Sequence, residues 1–378
     1  MTDWKGNRAK ERYTYKRVRW LPGETGHFDE LEAYGNITGG SVELAAFTDT
    51  KASCTFDFEG ETPPDTTDLV RIYYSFEDDN GEYAETPIGT FFVTYGDVQY
   101  TRDGSKLIER GTANGSSVLS TLIESKLGAP YTVDAGVDCV SAADSLVRGF
   151  GLLTNSPDSP GIETAQAHTF EPNDSWLTVI NWLLTNANYQ ACYPDPFGTV
   201  MLVPYVDPEA RSVVATFKDD EKSIMRPEVE MANDWAQTPN VVRLYFEEDS
   251  ECLAASASLL SGSRASLAGR GGRELTMVEK VDELDGTTQQ DRIDNLKALA
   301  RKRLVSQVSE IEKLTLTHAF VDGIRPNDAV SIEYSNMSWR GNVTNMNIEL
   351  VPSTQCETQL RRFVSNSLTI STDGGAIW

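Results

Sequence analysis

The sequence predicts a protein that is mainly β with α+β insertions, and three observations lead to that prediction. Apolar and polar residues alternate over several short segments, which is the two-residue period of half-buried strands. Turn residues separate these segments at short intervals, as in an antiparallel sandwich or barrel. Four other segments have the apolar spacing of amphipathic helices. We expect two β-rich blocks, a smaller mixed α/β domain between them and one long helix.

The first β block shows the clearest alternation, within residues 41–110. Apolar side chains alternate with polar ones, namely Ala52, Cys54, Phe56 and Phe58 with Ser53, Thr55, Asp57 and Glu59. This pattern predicts a strand with one buried and one wet face. A second alternating run, of Val70, Ile72, Tyr74 and Phe76, precedes Asp78-Asp79-Asn80-Gly81. That sequence predicts a tight hairpin turn, and Asp103-Gly104 predicts another.

The pattern changes to helical spacing after residue 114. Residues 116–126 and 141–148 predict two short helices, the second with Ser141 as its cap. A third helix is predicted to begin at a cap of Asp174 or Ser175, and a hairpin should follow it. Its apolar stripe, which we expect to lie in the core, consists of Trp176, Val179, Ile180, Leu183, Leu184 and Ala187.

Strand patterns return in the last part of the chain, at residues 213–217 and 240–247. Residues 254–272 are rich in Ser, Ala, Gly and Arg, which predicts a mobile loop. A long helix is predicted at about residues 288–309, with Ile293, Leu296, Ala300 and Leu304 along one side. Residues 311–364 again predict strands, with turns at Asp322-Gly323 and Arg340-Gly341-Asn342.

Composition excludes several classes of protein. Hydrophobic residues make up 39% of the 378 residues, which is enough for a folded core. Five cysteines lie far apart without a C-x-x-C pair, so we predict neither a disulfide framework nor a zinc site. The sequence shows no secretory signal and no apolar run of about 18 residues. We therefore expect synthesis in a reducing cytoplasm and no membrane insertion.

The net charge of -24 is unevenly distributed. Residues 1–20 contain seven basic side chains against Asp3 and Glu11, which leaves 26 basic and 55 acidic residues elsewhere. We expect this basic arm to dock on acidic surface of its own or a neighbouring subunit. The acidic remainder should repel DNA, because nucleic-acid binding requires a basic face. We therefore predict no sequence-specific nucleic-acid binding.

The search for chemical motifs predicts no catalytic, cofactor-binding or metal-binding residue. The three histidines, His27, His168 and His318, are widely separated and form no H-E-x-x-H pair. The segment 76–87 fails as a calcium loop because Phe76 and Pro87 would occupy ligand positions. The glycine-rich segment 269–273 lacks the features of a phosphate loop, and no G-x-S-x-G motif occurs. The sequence leaves open the possibility of a carboxylate pair suited to glycoside hydrolysis, since such a pair is identified only by the distance between its two carboxyl groups in space.

Several segments, taken in order, resemble the tail hub proteins of tailed bacteriophages. The resemblance extends over most of the chain, roughly residues 10–364, although each segment is degenerate and none carries chemistry. The late segment departs from the family pattern, because Asn327-Asp328 replaces the usual Gly-Asp pair. The matching segments are ERYTYKRV (11–18), NITGGSVE (36–43), DLVRIY (68–73), IGTFFV (88–93), SWLTVINWL (175–183), VPY (203–205), SLAGRGGR (266–273), ALARKRL (298–304) and IRPNDAVSI (324–332).

The resemblance implies two β-barrel domains akin to the tail-tube fold and a non-enzymatic structural role. Three copies are expected to form a ring at the virion tail tip that joins the tail tube to a distal fibre or spike. The implied partners are two further copies, the tail tube or distal tail protein, the tape-measure protein, and the fibre or spike. An acidic channel wall would then let DNA slide without sticking, because phosphate contacts dominate non-specific affinity.

The pattern and the resemblance together predict four regions. Residues 1–114 should form the first barrel with its basic arm, and residues 115–206 the mixed domain. Residues 207–250 and 311–378 should form the second barrel, interrupted by a flexible loop and long helix at 251–310. Two alternatives remain open, a distal tail or fibre-attachment protein and a carbohydrate-binding adhesin. For the adhesin, Trp4, Trp339 and Trp378 are the candidates to stack on sugars.

Overall fold

The structure is a computed structural model, and it is mainly β with helical insertions, as predicted. It describes residues 11–21, 27–60, 67–77, 83–208, 210–220, 224–233, 235–248, 251–281, 284, 288–309, 312–335, 337–351, 355–362 and 368–376. The predicted turn at residues 78–81 lies outside these residues. No helix among the described residues is long and apolar enough to span a membrane.

The first β block contains seven strands. They are β1 (Glu11–Leu21), β2 (His27–Tyr34), β3 (Ile37–Ala45), β4 (Ala52–Gly60), β5 (Leu69–Glu77), β6 (Tyr83–Asp103) and β7 (Lys106–Ser117). The alternation predicted for β4 is confirmed, because its apolar positions are buried while Thr55, Asp57 and Glu59 are exposed. The hairpin turn at Asp103-Gly104 is also confirmed, since Asp103 of β6 pairs with Lys106 of β7.

The mixed region follows, with three helices and four short strands. The elements are α1 (Ser120–Glu124), β8 (Tyr131–Val133), α2 (Cys139–Gly149), β9 (His168–Phe170), α3 (Trp176–Asn186), β10 (Tyr193–Pro194) and β11 (Val200–Met201). Ser175 caps α3 by accepting from the Thr178 backbone N–H at 3.1 Å, so one of the two predicted caps is confirmed. The hairpin after α3 is also present.

Two helix predictions in this region need correction. The cap of α2 is Asp138, whose Oδ1 accepts from the backbone N–H of Ser141 at 2.8 Å. The helix therefore begins two residues before Ser141, the residue predicted as the cap. The first helix is much shorter than 116–126, because Ser116 and Ser117 complete strand β7.

The last region contains the remaining strands and the long helix. They are β12 (Val213–Lys218), β13 (Met225–Asn233), β14 (Val241–Glu248), β15 (Glu251–Ser261), β16 (Thr276–Val281), α4 (Gln289–Ser309), β17 (Glu312–Ala319), β18 (Ala329–Tyr334), β19 (Met337–Glu349), β20 (Gln355–Arg361) and β21 (Thr369–Ala376). Helix α4 confirms the predicted long helix. Its start is a capping box in which the Thr288 hydroxyl accepts from the Asp291 N–H and the Asp291 carboxylate from the Thr288 N–H, both at 3.1 Å.

The two β blocks are joined in one sheet. Thirteen of the described strands hydrogen-bond together, in the order β13-β17-β20-β19-β3-β4-β7-β6-β5-β1-β2, with β18 on β19 and β12 on β18. The joint is the antiparallel pair β3 and β19, in which Val42 lies opposite Ile348. One hydrophobic core also serves both blocks, since Phe56 and Phe58 belong to the same cluster as Met346. The four predicted domain boundaries remain a prediction.

Two further cores complete the molecule. The mixed region packs α2 and α3 around buried side chains such as Val147 and Ile180, and Val18 and Leu69 of the sheet join them. For this reason β5 is buried on both faces along most of its length, and the simple alternation predicted for it holds only in part. A separate sheet, ordered β16-β14-β15-β21, packs against α4 through residues such as Leu296.

The predicted mobile loop at residues 254–272 is wrong for its first part, because residues up to Ser261 belong to strand β15. The remainder is tied to the sheet by two buried polar side chains. The Asn240 amide donates to the carbonyls of Ala265 and Arg273, both at 3.0 Å. The Arg270 guanidinium donates to the Thr238 carbonyl at 2.8 Å. Alanine and serine have low β propensity, which explains why the pattern suggested a loop.

The turn predicted at Arg340-Gly341-Asn342 is also wrong, because strand β19 passes through it. Gly341 serves a packing role instead of a turn. A Cβ atom there would lie 2.4 Å from the Trp339 ring and 2.8 Å from the Arg361 carbonyl oxygen. The glycine therefore makes room for the indole against the neighbouring strand. The other turn, at Asp322-Gly323, is confirmed by a positive φ of 87° at Gly323.

The described part of the basic arm is a strand of the sheet. Strand β1 lies between β2 and β5, and its basic side chains meet carboxylates on nearby strands. Lys16 pairs with Glu30 at 2.9 Å and with Glu85 at 2.8 Å, and Arg17 contacts Asp68. Docking on the chain's own acidic surface is thus confirmed for this stretch. Residues 1–10 of the arm lie outside the described residues.

Candidate functional site

The central strands of the large sheet present a continuous polar surface to solvent. Strands β17, β20, β19, β3, β4 and β7 alternate between buried apolar side chains and exposed or half-exposed polar ones. We call this surface the outer polar face. Its side chains are Thr315 and Thr317 of β17, Glu357 and Gln359 of β20, Asn345, Asn347 and Glu349 of β19, Ser41 and Glu43 of β3, Ser53, Thr55 and Asp57 of β4, and Thr112 and Asn114 of β7.

Strand register aligns these side chains in rows across the sheet. Glu357 lies opposite Asn347, which lies opposite Glu43 on the next strand, and Glu43 lies opposite Ser53. Directly opposed residues point to the same side of a sheet, with Cβ atoms about 4.5–5.5 Å apart. The outer polar face is therefore one surface that crosses from the second β block to the first.

The residues that define this face carry charge of one sign, whereas basic side chains lie at its margin on the same side of the strands, namely Lys313 of β17, Arg361 of β20 and Arg110 of β7. Its ionisable side chains are the carboxylates of Glu43, Asp57, Glu349 and Glu357, and none of the residues that define it is basic. At its margin Arg110 is paired with Glu59 at 2.7 Å. A wet, negative and hydrogen-bonding surface of this kind attracts no polyanion.

Two shallow depressions lie in this face. One, of about 280 Å³, is lined by residues such as Ser41, Glu43 and Glu357, and another, of about 480 Å³, lies around Asp57 and Thr112. A register shift in β19 lies beside the first depression and one in β3 beside the second, and such bulges bend and twist strands.

Hydrogen bonds hold two of the acidic side chains, Glu43 and Asp57, in place. The Asn345 amide donates to Glu43 Oε1 at 2.8 Å, and the Thr112 hydroxyl donates to Asp57 Oδ1 at 2.7 Å. Each carboxylate keeps further lone pairs for water, because an ionised carboxylate accepts about four hydrogen bonds. The face is thus ordered and remains hydrated.

A buried cation fixes the mixed region against the large sheet, on the same side of the sheet as the outer polar face but two strands beyond β7. Arg71 of β5 is 5% exposed. Its Nε donates to the Thr90 hydroxyl and its Nη2 to the Phe197 carbonyl, both at 2.9 Å. Thr90 in turn donates to the Pro196 carbonyl at 2.8 Å. The turn before β11 is therefore bound to β5 and β6 through its backbone.

Glu30 of β2 neutralises this cation. Its Oε2 accepts from Arg71 Nη1 at 3.1 Å and from the Tyr73 hydroxyl, and its Oε1 accepts from Lys16 at 2.9 Å. Burial alone would raise the pKa of Glu30, but the hydrogen bonds from Tyr73, Lys16 and Arg71 outweigh burial and hold it below its ordinary value. Four side chains from three adjacent strands form one charge network.

The two histidines whose side chains the structure describes, His168 and His318, lie in different parts of the molecule and do not meet. His318 is buried, with its ring nitrogens 2.8 Å from the Thr358 hydroxyl and 2.7 Å from the Ala319 carbonyl. His168 stacks on Trp182 at 4.7 Å in the mixed region. The side chain of His27 lies outside what the structure describes. Within the described residues, no cluster of three or more His, Cys, Asp or Glu side chains could hold a metal ion.

Of the three tryptophans predicted to stack on sugars, the structure describes Trp339. Trp339 is 3% exposed and belongs to the main core, so its assignment as an open candidate is wrong. Trp4 and Trp378 lie outside the described residues. Trp176, predicted as part of the core stripe, is half-buried against Tyr131 and Phe150. The described chain therefore offers no support for sugar stacking at the predicted position.

The sequence pattern predicted neither the extent of the outer polar face nor the role of Arg71. Alternation identified the wet side of β4, but pairing with β19 joins residues more than 300 positions apart. For Arg71, a signal was present, since an arginine within the run Val70 to Tyr74 interrupts an otherwise apolar strand. A charge flanked by buried residues indicates a buried partner.

The fold is shared with phage tail proteins of known structure. A tail protein from Neisseria meningitidis superposes with a TM-score of 0.62 at 14% identity, covering 94% of this chain and 99% of that one. The 43 kDa tail protein of prophage MuSo2 from Shewanella oneidensis gives 0.62 at 11% identity, with 93% and 98% covered. Prophage tail protein gp18 from Listeria monocytogenes gives 0.51 at 12% identity, with 93% and 95% covered.

Comparison by sequence alone matches no family model and no curated protein. The likeness therefore lies in the fold, over nearly the full length of each chain. The resemblance to phage tail proteins predicted from the sequence is confirmed at this level.

Proposed function

We propose that this protein is a non-enzymatic hub at the tip of a bacteriophage tail, where three copies form a ring around the DNA conduit. The outer polar face carries this proposal. It is polar, acidic in its central rows and continuous over six strands, and it belongs to a fold found in phage tail proteins.

The charge of the face suits passage of DNA. Duplex DNA carries one negative charge per about 1.7 Å of its axis, and contacts of Lys and Arg with phosphate dominate non-specific binding. A wall with Glu43, Asp57, Glu349 and Glu357 but without basic side chains in the same rows holds no phosphate. DNA would pass along such a wall without being retained.

The helical block favours a hub over a distal tail protein. A distal tail or fibre-attachment protein should lack a helix followed by a hairpin, whereas here α3 leads into β10 and β11. As a hub, the chain would contact the tail tube or distal tail protein, the tape-measure protein, and a fibre or spike. It would act in the virion tail tip after synthesis in the host cytoplasm, without a cofactor.

Light scattering and negative-stain imaging of the purified chain test this proposal. A hub gives a mass about three times 41.7 kDa and a ring with a central hole. The calculated potential of that ring should be negative in the lumen, with the outer polar face turned inward. A basic lumen, or a ring that turns this face outward, would contradict the proposed conduit.

A further inference from the structure

A cavity outside the outer polar face is lined mainly by basic side chains, in contrast to the acidic residues of that face. It lies where the loop after β3, the end of α3, the segment before β12 and helix α4 meet, and has a volume of about 540 Å³. Its charged lining comprises Lys51, Arg211, Lys302 and Arg361 against Asp49 alone. We call it the basic cleft. Four basic side chains against one acid are unexpected in a chain with 57 acidic and 33 basic residues.

Several of these cations are held in place by the protein. Lys51 Nζ donates to the Ala46 carbonyl at 2.7 Å, and Arg211 Nε donates to the Val206 carbonyl at 3.2 Å. The Arg361 guanidinium lies 5.0 Å from the Phe47 ring centroid. Carbonyls orient Lys51 and Arg211 and a ring face orients Arg361, while Asp49 interacts with Lys51 and Asp328 with Arg211.

The rim of the cleft adds apolar surface. Phe47 is 64% exposed and Tyr205 is 47% exposed, although large aromatic side chains are usually covered. Exposed aromatic side chains around a cavity of about 300–1,000 Å³ are typical of binding sites. The cleft thus combines positive charge with aromatic anchors, which is the complement of a carboxylate-rich polypeptide segment.

We propose that the basic cleft binds an acidic segment of a neighbouring copy of this chain. This inference rests on the proposed ring, because adjacent copies in a ring contact each other head to tail through two different surfaces. The chain itself supplies the complementary surface. Residues 247–251 read Glu-Glu-Asp-Ser-Glu, four carboxylates in five residues and the densest acidic run of the sequence.

The position of this run suits insertion into a cleft. It connects β14 and β15, which remain paired up to Glu248 opposite Glu251, and Glu247 is exposed. Paired strands lie about 4.8 Å apart in a sheet, so β14 and β15 hold the two ends of the run close together. The residues lining the cleft include none of the described residues of this hairpin in the same chain.

The test compares charge variants by light scattering over a range of salt concentrations. The double variant Lys302→Glu with Phe47→Ser should lower the mass from trimer towards monomer, and Glu247→Lys should do the same. Combining Glu247→Lys with Lys302→Glu should restore part of the assembly, because the charges are exchanged. Lys126→Glu is the matched control, since Lys126 is an exposed lysine of the mixed region that does not line the cleft and lies outside the sheet that carries the acidic run.

Salt provides a second criterion. The Debye length shortens from about 10 Å at 0.1 M to about 3 Å at 1 M, so the wild-type assembly should weaken as salt is added. A trimer whose mass is unchanged in the Lys302→Glu, Phe47→Ser variant would overturn the inference and leave the ring intact.

A monomeric wild-type chain calls for a direct binding measurement. The probe is a synthetic peptide of residues 245–251, titrated into the full chain by calorimetry. Peptide binding that weakens about tenfold in Lys302→Glu but not in Lys126→Glu would support the cleft as the binding site, even though the isolated chain does not form the ring. Absence of peptide binding would overturn the inference.

Discussion

The Arg71 guanidinium, 5% exposed, lies 3.1 Å from the Glu30 carboxylate and 2.9 Å from the Phe197 carbonyl oxygen. One side chain of the sheet thus holds both a neighbouring strand and the mixed region. The position of that region relative to the outer polar face depends on this contact.

Replacing Arg71 with Ala should destabilise the protein strongly. The change removes bonds to Thr90, Phe197 and Glu30, and loss of one partner of a buried ion pair costs about 3–5 kcal/mol. Urea unfolding followed by tryptophan fluorescence measures the loss. The control is Arg110→Ala, since the pair of Arg110 with Glu59 is exposed and should contribute less than about 1 kcal/mol. Equal effects of the two changes would contradict the assigned role of Arg71.

Acid should weaken the same network through Glu30. Its pKa is lowered in the folded state from an ordinary value of 4.5, so the unfolded chain binds the proton more readily. The contribution of Glu30 is therefore complete above that value and is lost as pH falls through the lower folded pKa. In Glu30→Gln, the stability deficit relative to wild type should be large near about pH 7 and shrink near about pH 3. A deficit independent of pH in urea unfolding would argue against this network.

Gly341 should tolerate no larger side chain. An added Cβ would approach the Trp339 ring to 2.4 Å, and overpacking of this kind typically costs about 1–3 kcal/mol. Thermal unfolding of Gly341→Ala measures the effect. Gly375→Ala is the matched control, because Gly375 also lies in a strand but has no atom within 4 Å of its added Cβ. A neutral Gly341→Ala would show that Trp339 can move aside.

The cap of α2 should be Asp138 and not a later residue. Asp138→Ala removes the bond to the Ser141 N–H and should cost about 1 kcal/mol. Ser145→Ala, at an exposed position inside the same helix, should change stability by a few tenths of a kcal/mol or less, since alanine is the better helix former. Chemical denaturation of both variants tests the corrected helix start.

Charge reversal on the outer polar face should create DNA binding. The triple variant Glu43→Lys, Asp57→Lys and Glu357→Lys places three cations on a surface that carried none among its defining residues. Each new phosphate contact should add about 0.9 to the slope of log affinity against log salt. Fluorescence anisotropy with a labelled duplex should show salt-sensitive binding for the variant and none for wild type. Wild-type binding of similar strength would contradict the proposed conduit wall.

Local patterns predicted much of the fold, and non-local contacts account for the rest. The alternation in β4, the cap at Ser175 and the stripe along α4 are properties of neighbouring residues, and all three are confirmed. The second buried face of β5 depends on a region 50 or more residues away, and Gly341 depends on Trp339 and Arg361. The outer polar face was visible only strand by strand. Its continuity follows from the β3–β19 pairing, for which a single sequence holds no local signal.

The β3–β19 pairing also has a consequence for biosynthesis. Glu43 contacts Asn345, 302 positions later, so β3 has no partner on that side until most of the chain has left the ribosome. At about 5–20 residues per second this interval lasts roughly 15–60 s. An unpaired strand edge during that time can recruit another chain, so the nascent protein should depend on chaperones. Premature termination before β19 should yield insoluble fragments instead of a smaller folded unit.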